Sequence, residues 1–234
     1  MQKSPDEIRS NLVRLIQDSQ DTYPNLASRL REMSRWIADK KSGQLVSKKH
    51  VMLLLEELIE DATFWLELQL IPKEDKEAEL SSLTPIEMYW YEYLFPLWIN
   101  ERDPKKETWK KELMAGKFQG NDSSLVEKIC QVIEFLGGDT FHSYIADLSM
   151  ATDLFASGLT NLPLSVQITT IQGILSQPKQ QRWLDTLQYW GIDRGLFVSY
   201  NPTVYQIESK IGQEAFQCSD EIPKNCYSKI DIDR

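Results

Sequence analysis

Leu164-Ser165-Val166-Gln167-Ile168-Thr169-Thr170-Ile171-Gln172-Gly173-Ile174-Leu175 is the stretch on which the class of this fold turns. Leu164, Ile168, Ile171 and Leu175 recur at steps of four, three and four, the period of an amphipathic helix. The β-branched residues of the stretch pull the other way, because two heavy atoms on Cβ restrict χ1 and favour a pleated backbone. The helical period is the longer pattern, and it predicts helix here. The stretch lies inside the longest uncharged run of the chain, Leu154 to Pro178. That run could span a bilayer by length, but it carries Asn161, Pro163 and several Gln, Ser and Thr residues, so no membrane span is expected.

Helix signals continue downstream. Gln177-Pro178 opens a segment with Trp183, Leu184, Leu187 and Trp190, stopped at Gly191. Leu196–Tyr200 reads as a short strand that Thr203–Ile207 could join as a hairpin. Equally, Asn201-Pro202 caps a helix through Val204, Ile207, Ile211 and Ala215, and the period of three turns favours that helix. From Cys218 the chain is polar and aperiodic, so residues 217–234 read as a flexible tail.

Upstream, Asp139 is placed to cap a helix that turns Phe141, Ile145, Leu148 and Phe155 inward and closes at Gly158. Ser124 and Glu127 have capping-box spacing, and Gly137-Gly138 ends the helix they open. Ser4-Pro5-Asp6-Glu7 combines an N-cap, a first-turn proline and acids at the positive dipole end. Pro24 opens a second helix through Leu26, Leu30, Met33 and Ile37. A longer one runs from about Ser47 to Leu70. Lys73–Ser82 is charged and aperiodic, and reads as a loop. Thr84-Pro85-Ile86-Glu87 is a capping box opening a helix that Pro96 should kink or end. Asp103-Pro104 begins another, with Gly116 as its C-terminal cap.

The expected fold is therefore all-α: a multi-helix bundle in two helical subdomains, 1–118 and 119–216, with one small β-hairpin near residues 196–207 as the alternative to a helix. The turn-rich segment Lys117–Ser123 is the expected boundary. Helix, turn, helix and hairpin over 163–207 is also the element order of a winged-helix-like module.

A net charge of -9 disfavours association of the whole chain with phosphate backbones. Three widely spaced cysteines, Cys130, Cys218 and Cys226, do not make a disulfide framework and fit a reducing compartment. With no apolar leader after Met1, the expected location is cytoplasmic. Walker A, GxGxxG, GxSxG and HExxH signatures are absent from the sequence. Glu56 and Glu60 sit one turn apart without a Glu-x-x-His partner, and the cysteines lack close pairs. No metal or cofactor is expected.

Two features point to partners. Tyr89, Trp90, Tyr91, Tyr93, Phe95 and Trp98 fall within ten positions, so at 100° per residue their rings point around the whole helix. A single core stripe cannot take them all, and Tyr89, Trp90, Tyr91, Tyr93 and Trp98 are the candidate partner-binding residues. The segment from Arg29 to Lys49 holds seven basic residues against Glu32 and Asp39. Arg31, Arg35, Lys40 and Lys41 are its candidate phosphate contacts, with Trp36 available to stack on a base. The expected function is a non-enzymatic protein–protein interaction subunit or adaptor of a larger intracellular assembly, joined to a protein partner or to itself. Nucleic-acid binding, through residues 29–49 or the module at 163–207, is the alternative.

Overall fold

Ser4 accepts a hydrogen bond from the Glu7 amide (3.3 Å) while the Glu7 carboxylate accepts one from the Ser4 amide (2.6 Å), and this closed box starts the first helix. The computed structural model describes residues 3–118 and 123–233. Two compact units emerge: Met1–Ser82 with Tyr91–Gly120, and Leu83–Trp90 with Asn121–Arg234. Residues 119–122 of the expected boundary lie outside the described residues.

The first unit is helical. It contains α1 (Pro5–Ser19), α2 (Pro24–Ile37), α3 (Ser42–Val46), α4 (Lys49–Leu70), α5 (Lys73–Ser82), α7 (Phe95–Asn100) and α8 (Lys106–Ala115). The stripes read from the sequence are its core: Ile8, Leu12 and Leu15 of α1, Leu26, Leu30, Met33 and Ile37 of α2, and Leu54, Leu55, Leu58 and Ala62 of α4 are all buried. Gly116 takes a left-handed conformation (φ 69°) and caps α8. Lys73–Ser82, expected as a loop, is instead α5. Glu74 and Asp75 complement its positive end and Lys73 faces Glu77 one turn on, yet it buries no residue.

The Thr84–Glu87 capping box forms and opens α6 (Pro85–Tyr89) in the second unit. Pro96 does not end the helical path. A π-helical turn, Trp90–Leu94, precedes it, and Pro96 takes a first-turn position of α7, where its missing N–H costs nothing.

The rest of the second unit corrects the all-α expectation. After α9 (Ser123–Phe135) come β1 (Asp139–Phe141), α10 (Tyr144–Met150), β2 (Leu154–Ser157), β3 (Leu164–Thr169), a 3-10 turn (Gly173–Ser176), α11 (Gln177–Tyr189), β4 (Arg194–Tyr200), α12 (Ile207–Glu221) and β5 (Cys226–Ile232). The five strands form one mixed sheet in the order β1-β2-β3-β4-β5, with β2 antiparallel to both neighbours and β3, β4 and β5 mutually parallel. The expected helix at 139–157 is strand, short helix and strand, with Ser143 rather than Asp139 as the cap. Leu164–Thr169 is a central strand. The winged-helix order at 163–207 is therefore replaced by strand, helix and parallel strand.

The hairpin near 196–207 does not form either. Leu196–Tyr200 belongs to β4, whose partners are β3 and β5, and the helix that follows starts only at Ile207. The expected flexible tail from residue 217 carries regular structure instead: α12 runs to Glu221 and β5 adds an edge strand, with residue 234 outside the described residues.

Each face of the sheet is covered by helix. Leu154, Val166, Ile168, Leu196 and Val198 pack with Ile129 and Ile133 of α9 and with Ile211 and Ala215 of α12. On the other face Trp183 of α11 meets Phe197, ring centroids 5.5 Å apart. Gly195 is required there, since a Cβ would lie 2.7 Å from both Leu187 and Trp183 side-chain atoms. At the amino end of β4, buried Arg194 donates to the carbonyls of Ile222 (2.8 Å), Leu162 (2.9 Å), Pro163 (3.2 Å) and Ser219. Burial pulls its pKa down, while Asp193 and Asp220 oppose that shift. One side chain thus ties the β2–β3 hairpin to α12.

Candidate functional site

The aromatic run of residues 89–98 is mostly interior. Trp90, Phe95 and Trp98 are buried, Tyr89 and Tyr91 are half-buried, and Tyr93 is 42% exposed. In the second unit Trp90 stacks at a tilt on Phe141 (5.1 Å) and Tyr89 meets the edge of Phe155 (6.0 Å). In the first unit Tyr91 packs on Phe64 (4.6 Å) and donates to Asp61 (2.9 Å), while Trp98 stacks on Phe95 and carries the Arg29 guanidinium 4.7 Å over its ring. Within each unit, intramolecular partners meet most of these rings.

The basic segment is dispersed in a similar way. Arg29 is buried and donates to the carbonyls of Trp98 (2.6 Å) and Glu101 (2.5 Å). Arg31, Arg35 and Lys41 are exposed and Lys40 is half-exposed. Arg31 reaches Gln20, Arg35 reaches the Arg31 carbonyl, and Lys40 pairs with Asp39 at 3.1 Å. Trp36 is held edge-on against Trp109 (5.8 Å), with Lys110 over its ring.

Among the described residues, no group of three or more His, Cys, Asp or Glu side chains is placed to hold a metal ion. Lys3 donates to both Glu56 and Glu60. Burial raises the Cys130 pKa, and it pushes the Cys218 thiol up to about 11, with Glu214 and Glu221 adding to the shift. Both therefore stay thiols at neutral pH.

The carboxyl ends of the parallel strands offer a different arrangement. The connection after β3 leads to α11 on one face of the sheet, and the connection after β4 leads to α12 on the other. Open sheets part at such a switch point, and ligands enter there. Because β2 runs antiparallel, Asp153 at its start lies beside the end of β3. Its carboxylate accepts from the Ile168 amide (2.5 Å) and from the Gln167 side chain. The Thr169 hydroxyl accepts from the Ile171 amide (3.2 Å), and Ser199 of β4 donates to the Ile171 carbonyl (2.8 Å). Gln172 donates to Asp233 beyond β5 (2.8 Å), and Asn201 accepts from the amide and hydroxyl of Thr203.

These polar contacts hold the two connections; Val204 packs against the core, while other apolar side chains of the connections stay outside. Ile174, Leu175 and Tyr205 are 80%, 79% and 81% exposed, and Ile171 joins them at 42%. Gly173, in a left-handed conformation (φ 59°), turns the chain into the 3-10 segment that presents Ile174 and Leu175. None of these residues was singled out from the sequence as a site. A strand reading of Leu164–Thr169 would have exposed the signal, since it leaves Ile171, Ile174 and Leu175 on a loop with no stripe to join.

The described residues include no helix long and apolar enough to cross a membrane. Comparison of the chain with protein-family models, with curated proteins and with solved structures finds no match.

Proposed function

We propose that this chain is a non-enzymatic, cytoplasmic protein-docking subunit, and that it grips a protein partner with the carboxyl end of its sheet. The observation that carries this reading is the exposure of Ile174, Leu175 and Tyr205 on connections held by hydrogen bonds from Ile171, Ser199 and Thr203. A loop held in one conformation presents apolar side chains without a further ordering cost on binding. Well-exposed apolar side chains on the connections at the carboxyl end of an open sheet, the end at which ligands enter such sheets, favour a partner surface. The large rings of residues 89–98 contribute mainly to packing, so the partner-binding role moves from that helix to these loops.

The test is the paired change Ile174→Asp and Leu175→Asp in the native host. Its stability should match that of the unaltered protein within about 0.5 kcal/mol, because both sites are exposed. Its sedimentation in a native extract should fall from complex size to that of the free chain, since centrally placed apolar contacts contribute about 2 kcal/mol or more to association. If the altered and unaltered chains sediment together at complex size, the loops are not the docking surface.

A further inference from the structure

β5, Cys226–Ile232, stands last in the strand order, so one edge meets β4 and the other carries no strand among the described residues. An open edge is a row of N–H and C=O groups able to template another strand. The opposite edge strand, β1, has three residues, short enough to be a poor template, whereas β5 has seven.

Side chains of β5 alternate between the two faces. Tyr227 meets Trp183 (6.1 Å) and Lys229 donates to Ser176 (3.0 Å), which places the odd-numbered residues on the α11 side. Lys229 also pairs with Asp231 at 3.1 Å on that side. Ile230 and Ile232 join the core on the α12 side. There an open groove follows the strand, lined by Lys210, Gln213 and Glu214 of α12 and by residues 230–233.

We propose that this edge pairs with β5 of a second copy of the chain, antiparallel and about a two-fold axis through Ile230. The charge register selects that occupant and that axis. Directly opposite residues of an antiparallel pair share a face, with Cβ atoms about 4.5–5.5 Å apart. An axis at Lys229 would set Lys against Lys, and one at Asp231 would set Asp against Asp. The axis at Ile230 sets Lys229 opposite Asp231 of the second copy twice over and leaves Ile230 against its own counterpart. A two-fold interface uses one patch on both subunits, so this single self-complementary strand suffices. Main-chain hydrogen bonds along the edge supply affinity, and the paired charges fix the register.

Sedimentation equilibrium of the full chain tests this. The unaltered protein should dimerise reversibly. Lys229→Glu alone, or Asp231→Lys alone, places like charges opposite each other at both pairs and should weaken the dimer by about tenfold or more. The double change Lys229→Glu/Asp231→Lys should restore it. An equimolar mixture of the two single variants should also dimerise, because each then offers the other opposite charges at both positions. A role confined to the folded monomer would not produce that rescue. Ile174→Asp/Leu175→Asp should leave the dimer intact, which separates this surface from the docking loops. The proposal is overturned if the unaltered chain stays monomeric at its highest soluble concentration, if the single variants dimerise like the unaltered chain, or if neither the mixture nor the double variant recovers the dimer.

Discussion

Two stretches of this chain are dense in large apolar side chains, and the fold treats them in opposite ways. Residues 89–98 carry six aromatic rings around a helix, and Trp90, Phe95 and Trp98 among them are buried. Residues 171–175 carry only Ile171, Ile174 and Leu175, and Ile174 and Leu175 are about as exposed as Tyr205. Apolar density alone therefore does not decide which side chains the fold leaves exposed. What distinguishes the two is whether the backbone gives each side chain a packed neighbour. Trp90 packs on Phe141 in the second unit and Trp98 on Phe95 in the first, whereas the 3-10 turn held by Thr169 and Ser199 leaves Ile174 and Leu175 exposed.

The largest expected effect lies in the aromatic stretch. Trp98→Ala removes a buried ring stacked on Phe95 and under Arg29, and should cost about 3–5 kcal/mol in chemical denaturation. Finding the loss below about 1 kcal/mol would return Trp98 to the candidate interface. Next comes Gly195→Ala in the second unit. A methyl group there meets Leu187 and Trp183 at 2.7 Å, and the overpacking should cost about 1–3 kcal/mol by the same measurement.

Asp220 gives a smaller effect with a pH signature. Burial pushes its pKa up, but hydrogen bonds from Thr160 and Leu159 and the charge of Arg194 outweigh it, so the folded value lies below the ordinary carboxylate range. A depressed folded pKa means that stability is fully present above the unfolded value and is lost as pH falls through the folded one. Asp220→Asn should cost about 1 kcal/mol at neutral pH and flatten the acid limb of a stability-against-pH curve. An unchanged acid limb would remove Asp220 from the ties of the β2–β3 hairpin. Smallest of all is the effect on stability of Ile174→Asp/Leu175→Asp, with melting essentially unmoved. A large loss there would mean that these side chains are packed, and the contrast would collapse.

The same contrast governs how much of the fold could be read from sequence. Most of the first unit is legible because its helices are amphipathic: Ile8, Leu12 and Leu15, or Leu54, Leu55 and Leu58, are buried on one stripe, and capping signals such as Ser4-x-x-Glu7 mark the starts; α5, which buries no residue, has no stripe to read. In the second unit α9 and α11 are legible, but the strands are not, because β2, β3 and β4 are buried on both faces. A strand covered on both sides loses its apolar–polar alternation. In β3 a trace survives, with Leu164, Val166 and Ile168 on the α12 side and Ser165, Gln167 and Thr169 between them. Ile171 and Leu175, which lie beyond the strand, extended that pattern by chance into a helical period. β5 was hidden for another reason: as an edge strand it is polar and half-exposed, and its sequence resembles a tail. The exposed loops at the sheet end could not be found while the strands that define their ends were read as helix.

The most direct test of the central claim is photocrosslinking from two exposed leucine positions in the native host. A photoreactive residue replaces Leu175 on the sheet end in one chain, and Leu70 at the end of α4 in another, both being well exposed at 79% and 64%. One discrete protein adduct is expected from position 175 and none of that mass from position 70. The same adduct from both positions, or an adduct from position 70 alone, would contradict that claim.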